Sequence, residues 1–219
     1  MYNVTRNFFM YLSKNKLMNE AAKKWGLKLG ASKVVAGTDI PSVVKSIQAL
    51  NAKGISVTVD HLGEFVFDRH EATEAKNDCL QMIRTIEEAN LDCHLSVKLT
   101  QIGLDVDYDF CLENITEIVD LAAQKNIFVN IDMEDYAHYE QTLEILNTLL
   151  KTYNNVGTVI QAYLFRAEED LKGLENVRIR LVKGAYKEDP SVAYQTKQDI
   201  DENFIKLIKM RLTSPFARR

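Results

Sequence analysis

NVRIRLVKGAYKED, residues 176–189, alternates like a buried strand: Ile179 and Leu181 oppose Arg178 and Arg180 before the run breaks into Lys-Gly-Ala-Tyr. Four more short β-rich runs precede it, at residues 56–60, 93–99, 127–132 and 157–163, and the fifth covers 177–183. Between them lie residues 71–90, 110–126, 136–153 and 166–175, whose apolar side chains recur at three and four, the period of a helix. Each helical segment therefore connects two strands. Connections of this length suit parallel pairing and are too long for hairpins, so the sequence predicts an α/β fold with a parallel sheet.

The faces of the strands narrow the choice. Val57 and Val59 point away from Thr58 and Asp60, Leu95 and Val97 from Ser96 and Lys98, and Val129 and Ile131 from Asn130 and Asp132. A doubly wound sheet, covered on both sides, requires two apolar faces. One apolar and one polar face fits a sheet curled into a (β/α) barrel, with helices outside and a polar lumen. A sheet with one solvent-exposed face is the plainer alternative, but that is mostly an antiparallel habit. Two helices are predicted ahead of the sheet, one over about residues 4–25 and one from a Thr38-Asp39 cap to Asn51, stopped at Gly54. The expected organisation is N-terminal helices over 1–54, a partial barrel over 55–210 and a short tail over 211–219.

With 219 residues, 46% hydrophobic content and a formal net charge of -4, the chain has the size of one main domain and lacks the basic excess that nucleic acid requires. Cys79, Cys93 and Cys111 form no CxxC, which favours buried thiols in a reducing compartment. The apolar run FFMYL near the N-terminus is too short for a signal peptide, and no window is long and apolar enough to span a membrane.

In barrels the working residues sit at the C-terminal ends of strands. Those ends carry Asp60, Lys98, Asp132, Gln161 and the segment from Arg180 to Lys183, an alternation of anionic and cationic groups. A structural ion-pair network is one reading and a ligand site the other; recurrence at all five ends favours the site. There is no GxGxxG, Walker loop or HExxH, and none of the four histidines has metal-ligand spacing with another, so no metal is expected. Within the acidic run IDMEDYAHYE, Glu134 and Asp135 are expected to serve the N-terminus of the following helix.

Five motifs at these strand ends, VDHLGE (59–64), SVKL (96–99), NIDME (130–134), IQAY (160–163) and RLVKGAY (180–186), resemble in order those of the bacterial FAD-dependent proline dehydrogenases of the monofunctional type. The resemblance covers nearly the whole chain to about Met210. It implies a (β/α)8-type barrel that oxidises L-proline to Δ1-pyrroline-5-carboxylate, with hydride transfer to FAD and electrons passed to a quinone. By the same resemblance Arg180 lies beneath the flavin near N5, Val182, Lys183 and Gly184 form a flavin-lining turn, and Gln161 bonds the flavin ring. Leu181 and Tyr186 pack around the proline ring and Lys98 lies near its carboxylate. Asp60 and Asp132 line the pocket, while Glu64 resembles an acidic partner of the family's substrate-binding arginines. Lys98, Asp132 and Arg180 are the expected catalytic set. A cytoplasmic location is implied, with peripheral contact at the inner face of the plasma membrane.

The family barrel has eight strands, and this sequence offers five. The expectation is a C-terminally truncated chain; Arg218 and Arg219 come too early to match the family's carboxylate-binding arginine pair. Two alternatives accompany the enzyme reading: an inactive remnant, and a barrel lyase using Lys98 or Lys183 as a Schiff-base amine.

Overall fold

The computed structural model describes residues 36–213. The predicted helix over about 4–25 and the pair Arg218–Arg219 lie outside them. The chain divides into two compact units, Met1–Ile55 and Ser56–Arg219.

In the first unit, helix α1 spans Ile40–Asn51. Asp39 accepts a hydrogen bond from Ser42 N–H, and the Ser42 hydroxyl accepts one in return from Asp39 N–H, a reciprocal cap that satisfies two otherwise orphaned donors. The chain leaves this helix through Gly54 at φ +73°, a left-handed conformation that costs glycine nothing.

The second unit is a five-stranded parallel sheet in which spatial order repeats chain order. The strands are β1 (Val57–Asp60), β2 (Cys93–Val97), β3 (Val129–Ile131), β4 (Val156–Gln161) and β5 (Ile179–Val182). Helices α2 (Arg69–Glu88), α3 (Tyr108–Gln124), α4 (Tyr139–Leu149) and α5 (Ala167–Gly173) connect them, and α6 (Lys197–Thr213) follows β5. Asp68 and Asp107 cap α2 and α3 by accepting from backbone N–H groups of the first turn. All five predicted strands are present, in a half-barrel of the predicted class.

Register shows why one face is polar. Asp60 pairs with Ser96, Ser96 with Asn130, and Asn130 with Gly157, so these positions share the lumen face. On the other face Leu95, Val129 and Ile131 are buried, with Ile83, Ile115, Ile118 and Ile145 of the surrounding helices. Gly157 is required where β4 meets β5, because a Cβ there would lie 2.2 Å from the Arg178 carbonyl oxygen. Lower in the lumen a cavity of about 250 Å³ is lined by Thr58, His94, Phe128, Asn130, Arg178 and Arg180. There the Arg178 guanidinium stacks 4.5 Å from the Phe128 ring centroid.

The strands are shorter than their β-rich runs. Lys98, Asp132 and Lys183 each lie just beyond the last paired residue. Strand alternation carries Lys98 and Asp132 over the lumen, and the Asp132 N–H still donates to the Val97 carbonyl oxygen at 2.8 Å. No helix among the described residues is long and apolar enough to cross a membrane.

Candidate active site at the strand ends

Four of the predicted residues meet as one chain of charges. Lys98 Nζ lies 2.7 Å from Asp60 Oδ2 and 3.3 Å from Asp132 Oδ2, and Arg180 Nη2 lies 2.6 Å from Asp132 Oδ1. Two residues for which alternation gives only a polar face fix the central carboxylate. Ser96 Oγ donates to Asp132 Oδ1 at 2.6 Å, and Asn130 Nδ2 donates to the same oxygen at 2.8 Å. Asp132 is thus the hub, held by groups from β2 and β3 and by Arg180 from β5.

Burial pushes the Asp60 carboxyl above its usual range, and Lys98 only partly opposes this. For Lys98, burial acts downward, but the carboxylates of Asp60 and Asp132 outweigh it and hold the ammonium above its ordinary value. Asp60 Oδ1 is buried and has no hydrogen-bond partner among the described residues; the same holds for Gln161 Oε1. Unpaired buried acceptors cost on the order of 1–3 kcal/mol each, so both mark places where a ligand donor is wanted. Gln161, at the end of β4, is oriented by donating from Nε2 to the Met133 and Glu134 carbonyl oxygens, at 3.2 and 3.1 Å. Val182 pairs with it in register.

Across the mouth, Tyr186 from the loop after β5 donates its hydroxyl to Glu64 Oε2 of the loop after β1, at 2.9 Å. Burial and the Glu64 charge both push the Tyr186 phenol up, so it stays a donor. Three further predicted residues stand apart from the charge chain. Leu181 pairs with buried Ile160, on the face opposite Arg180. Lys183 is drawn to Asp201 of α6, at 2.5 Å. Gly184 adopts φ +114° and a Cβ there would meet the Tyr163 ring at 2.5 Å, so ring packing already accounts for this glycine.

Glu134 corrects another expectation. Only Asp135 caps the following turn, by accepting from His138 N–H. Glu134 is fully buried and turns back to accept from Thr100 N–H at 3.0 Å and from the Thr100 hydroxyl. Burial raises its carboxyl against those bonds and against the His138 charge. Thr100 had no sequence signal, and its partner lies 34 positions away. Among the described residues, no group of His, Cys, Asp or Glu is arranged to hold a metal ion.

A half-barrel whose strand ends carry alternating charges and two unmet acceptors belongs to the class of (β/α)-barrel proteins with a polar ligand site. The sequence profile of proline dehydrogenase matches residues 43–217, extending past residue 210. Proline dehydrogenase 2 of Bacillus subtilis (strain 168) is 45% identical over 211 residues, covering 95% of this chain and 70% of that protein. Proline dehydrogenase of Deinococcus radiodurans is 36% identical over 197 residues, covering 87% of this chain and 63% of that one. Among solved structures, proline utilization A of Bdellovibrio bacteriovorus, inactivated by N-propargylglycine, superposes with a TM-score of 0.79 at 24% identity. It covers 90% of this chain and 26% of its own length, and it supports the barrel fold. The chain belongs to the proline dehydrogenase family, whose members are generally FAD-dependent.

Proposed function

We propose that this chain oxidises L-proline to Δ1-pyrroline-5-carboxylate on an FAD bound over the strand ends. Support comes first from the chain Asp60–Lys98–Asp132–Arg180, which alternates two anions with two cations and so matches a zwitterion that adds no net charge. Lys98, held as an ammonium, receives the proline carboxylate, and the unused Oδ1 of Asp60 faces the amine. Tyr186 and Glu64 roof the mouth and limit water entry. The donor set also suits a flavin: Arg180 presents a fixed cation, and Gln161 Oε1 is a buried acceptor seeking an N–H. Bound there, FAD supplies the acceptor for the hydride that leaves the ring carbon beside nitrogen. Arg180, Val182 and Gln161 would hold it, and Lys98, Asp60, Asp132, Glu64 and Tyr186 would hold the substrate. Lys183 and Gly184 are assigned to the edge of the cofactor site, which for Lys183 requires release from Asp201.

A quinone acceptor, a cytoplasmic location and peripheral contact with the inner membrane face complete the proposal. The Schiff-base lyase reading is disfavoured, because Lys98 is paired with two carboxylates and Lys183 with one, which leaves neither as a free amine. The deciding experiment incubates the purified chain with FAD, removes free cofactor, and records the visible spectrum before and after L-proline. A retained flavin that bleaches with proline supports the proposal. A colourless chain identifies a polypeptide that keeps the site residues without the activity.

A further inference from the structure

Behind the lumen mouth, His138 lies between two carboxylates that sequence reading did not connect to it. Its Nε2 lies 2.9 Å from Asp105 Oδ1 and its Nδ1 lies 2.5 Å from Asp135 Oδ1. Both ring nitrogens therefore face acceptors, an arrangement that only the doubly protonated imidazolium satisfies with two donated hydrogen bonds. Asp105 sits in the loop after β2, and Asp135 and His138 sit in the turn after β3. The same two loops are joined a second time, by Thr100 donating to Glu134. Thr100 also receives the loop after β1, whose Phe65 N–H donates to its hydroxyl at 2.9 Å.

The surroundings are acidic. Asp105 faces His138 from the loop after β2, and Asp135 and buried Glu134 from its own segment. The loop after β1 brings Phe65, whose ring centroid is 5.9 Å from that of His138, and Glu64, whose charge acts on Glu134. From the loop after β5, Glu188 accepts from Tyr136 N–H and the Tyr163 hydroxyl, and the Tyr186 phenol feels Asp135. Asp105 Oδ2 is buried with no partner among the described residues, so this carboxylate depends on the imidazolium for its counter-charge.

We propose that His138, held between Asp105 and Asp135, is a positioning residue that ties the loop after β2 to the loop after β3 and thereby sets the spacing of Lys98 and Asp132. The proposal deepens the function given above, since Lys98 and Asp132 are its substrate-holding pair. Burial alone would lower the His138 pKa, and the two carboxylates reverse this and raise it above the ordinary histidine value. A raised value means that the tie is fully formed below about pH 6.5 and is lost as pH rises through the native-state titration.

His138→Ala would remove both bonds and risk unfolding, so the test uses the wild type and the nearly isosteric Asp105→Asn. Ring ¹⁵N shifts of His138 and backbone amide shifts of Lys98 and Asp132 are followed against pH in each. The expected result is a wild-type ring that titrates above 6.5, with the Lys98 and Asp132 amides moving at the same midpoint. In Asp105→Asn all three should move together to lower pH. A ring that titrates at or below 6.5, or amides that ignore it, would overturn the proposal. Co-titration in a chain that retains no flavin would sustain the positioning role while refuting the function. Flavin bleaching by proline without co-titration would do the opposite.

Discussion

The central strands and the edge strands of this sheet are built differently. Every residue of β3 and β4 is buried, and so is all of β2 except His94; β1 and β5 are at most half-buried along their length. Yet the two edges carry the motifs richest in chemistry, with Asp60 on β1 and Arg180 on β5. Side chains on the central strands are aimed by the packing beneath them. Those on the edges are aimed by what they touch at the centre: Lys98 holds Asp60, and Asp132 holds Arg180. The apolar face thus specifies the frame, and a short polar chain carries that specification outward to the rims.

The contrast breaks most readily in the core. Leu95→Ala on β2 should cost about 2–5 kcal/mol in urea unfolding, because a fully buried side chain leaves a cavity that close-packed neighbours cannot fill. Val57→Ala on β1 should cost about 1 kcal/mol or less, since it is smaller than leucine and only partly buried. Equal losses at the two positions would dissolve the distinction. Next comes Asp132→Asn, which keeps the volume but weakens the hub's bonds to Lys98 and Arg180 at about 1.5–3 kcal/mol in the same assay. If the hub positions the edge, this variant should lose flavin retention more completely than its stability loss explains; unchanged retention would show that Arg180 is placed by β5 alone. The smallest effect is expected for Tyr186→Phe, where one partly exposed hydrogen bond contributes at most about 1 kcal/mol. Its stability should barely change while bound flavin exchanges faster, and unaltered exchange would remove the roof from the account.

Much of this was legible in the sequence because alternation is a local signal. The opposition of Leu95 to Ser96, or of Ile131 to Asp132, needs only neighbouring letters, and it separated helix-facing from lumen-facing residues on the first three strands. The same rule places Leu181 opposite Arg180, and the structure pairs it with Ile160. Contacts between loops were not legible. Asp105 meets His138 across 33 positions, and Thr100 meets Glu134 across 34, through segments with no periodicity to mark a face. The sequence neighbours of Glu134 suggest a helix cap, whereas burial and a distant threonine hold it elsewhere. Strand ends are blurred for a related reason: the β-rich composition continues through Lys98 and Asp132, while residue pairing ends at Val97 and Ile131.

The strand order has a consequence for how the molecule is made. Strands begin at residues 57, 93, 129, 156 and 179, and each pairs with the one synthesised before it. At translation speeds of about 5–20 residues per second, a 36-residue unit leaves the ribosome in roughly two to seven seconds, and its docking strand is by then already in place. Among the described strands, none has a later one inserted between it and its predecessor. Among these five strands the growing edge is always the newest, and the bond between Glu64 and Tyr186, which joins the loop after β1 to the loop after β5 across 122 positions, requires all five in register.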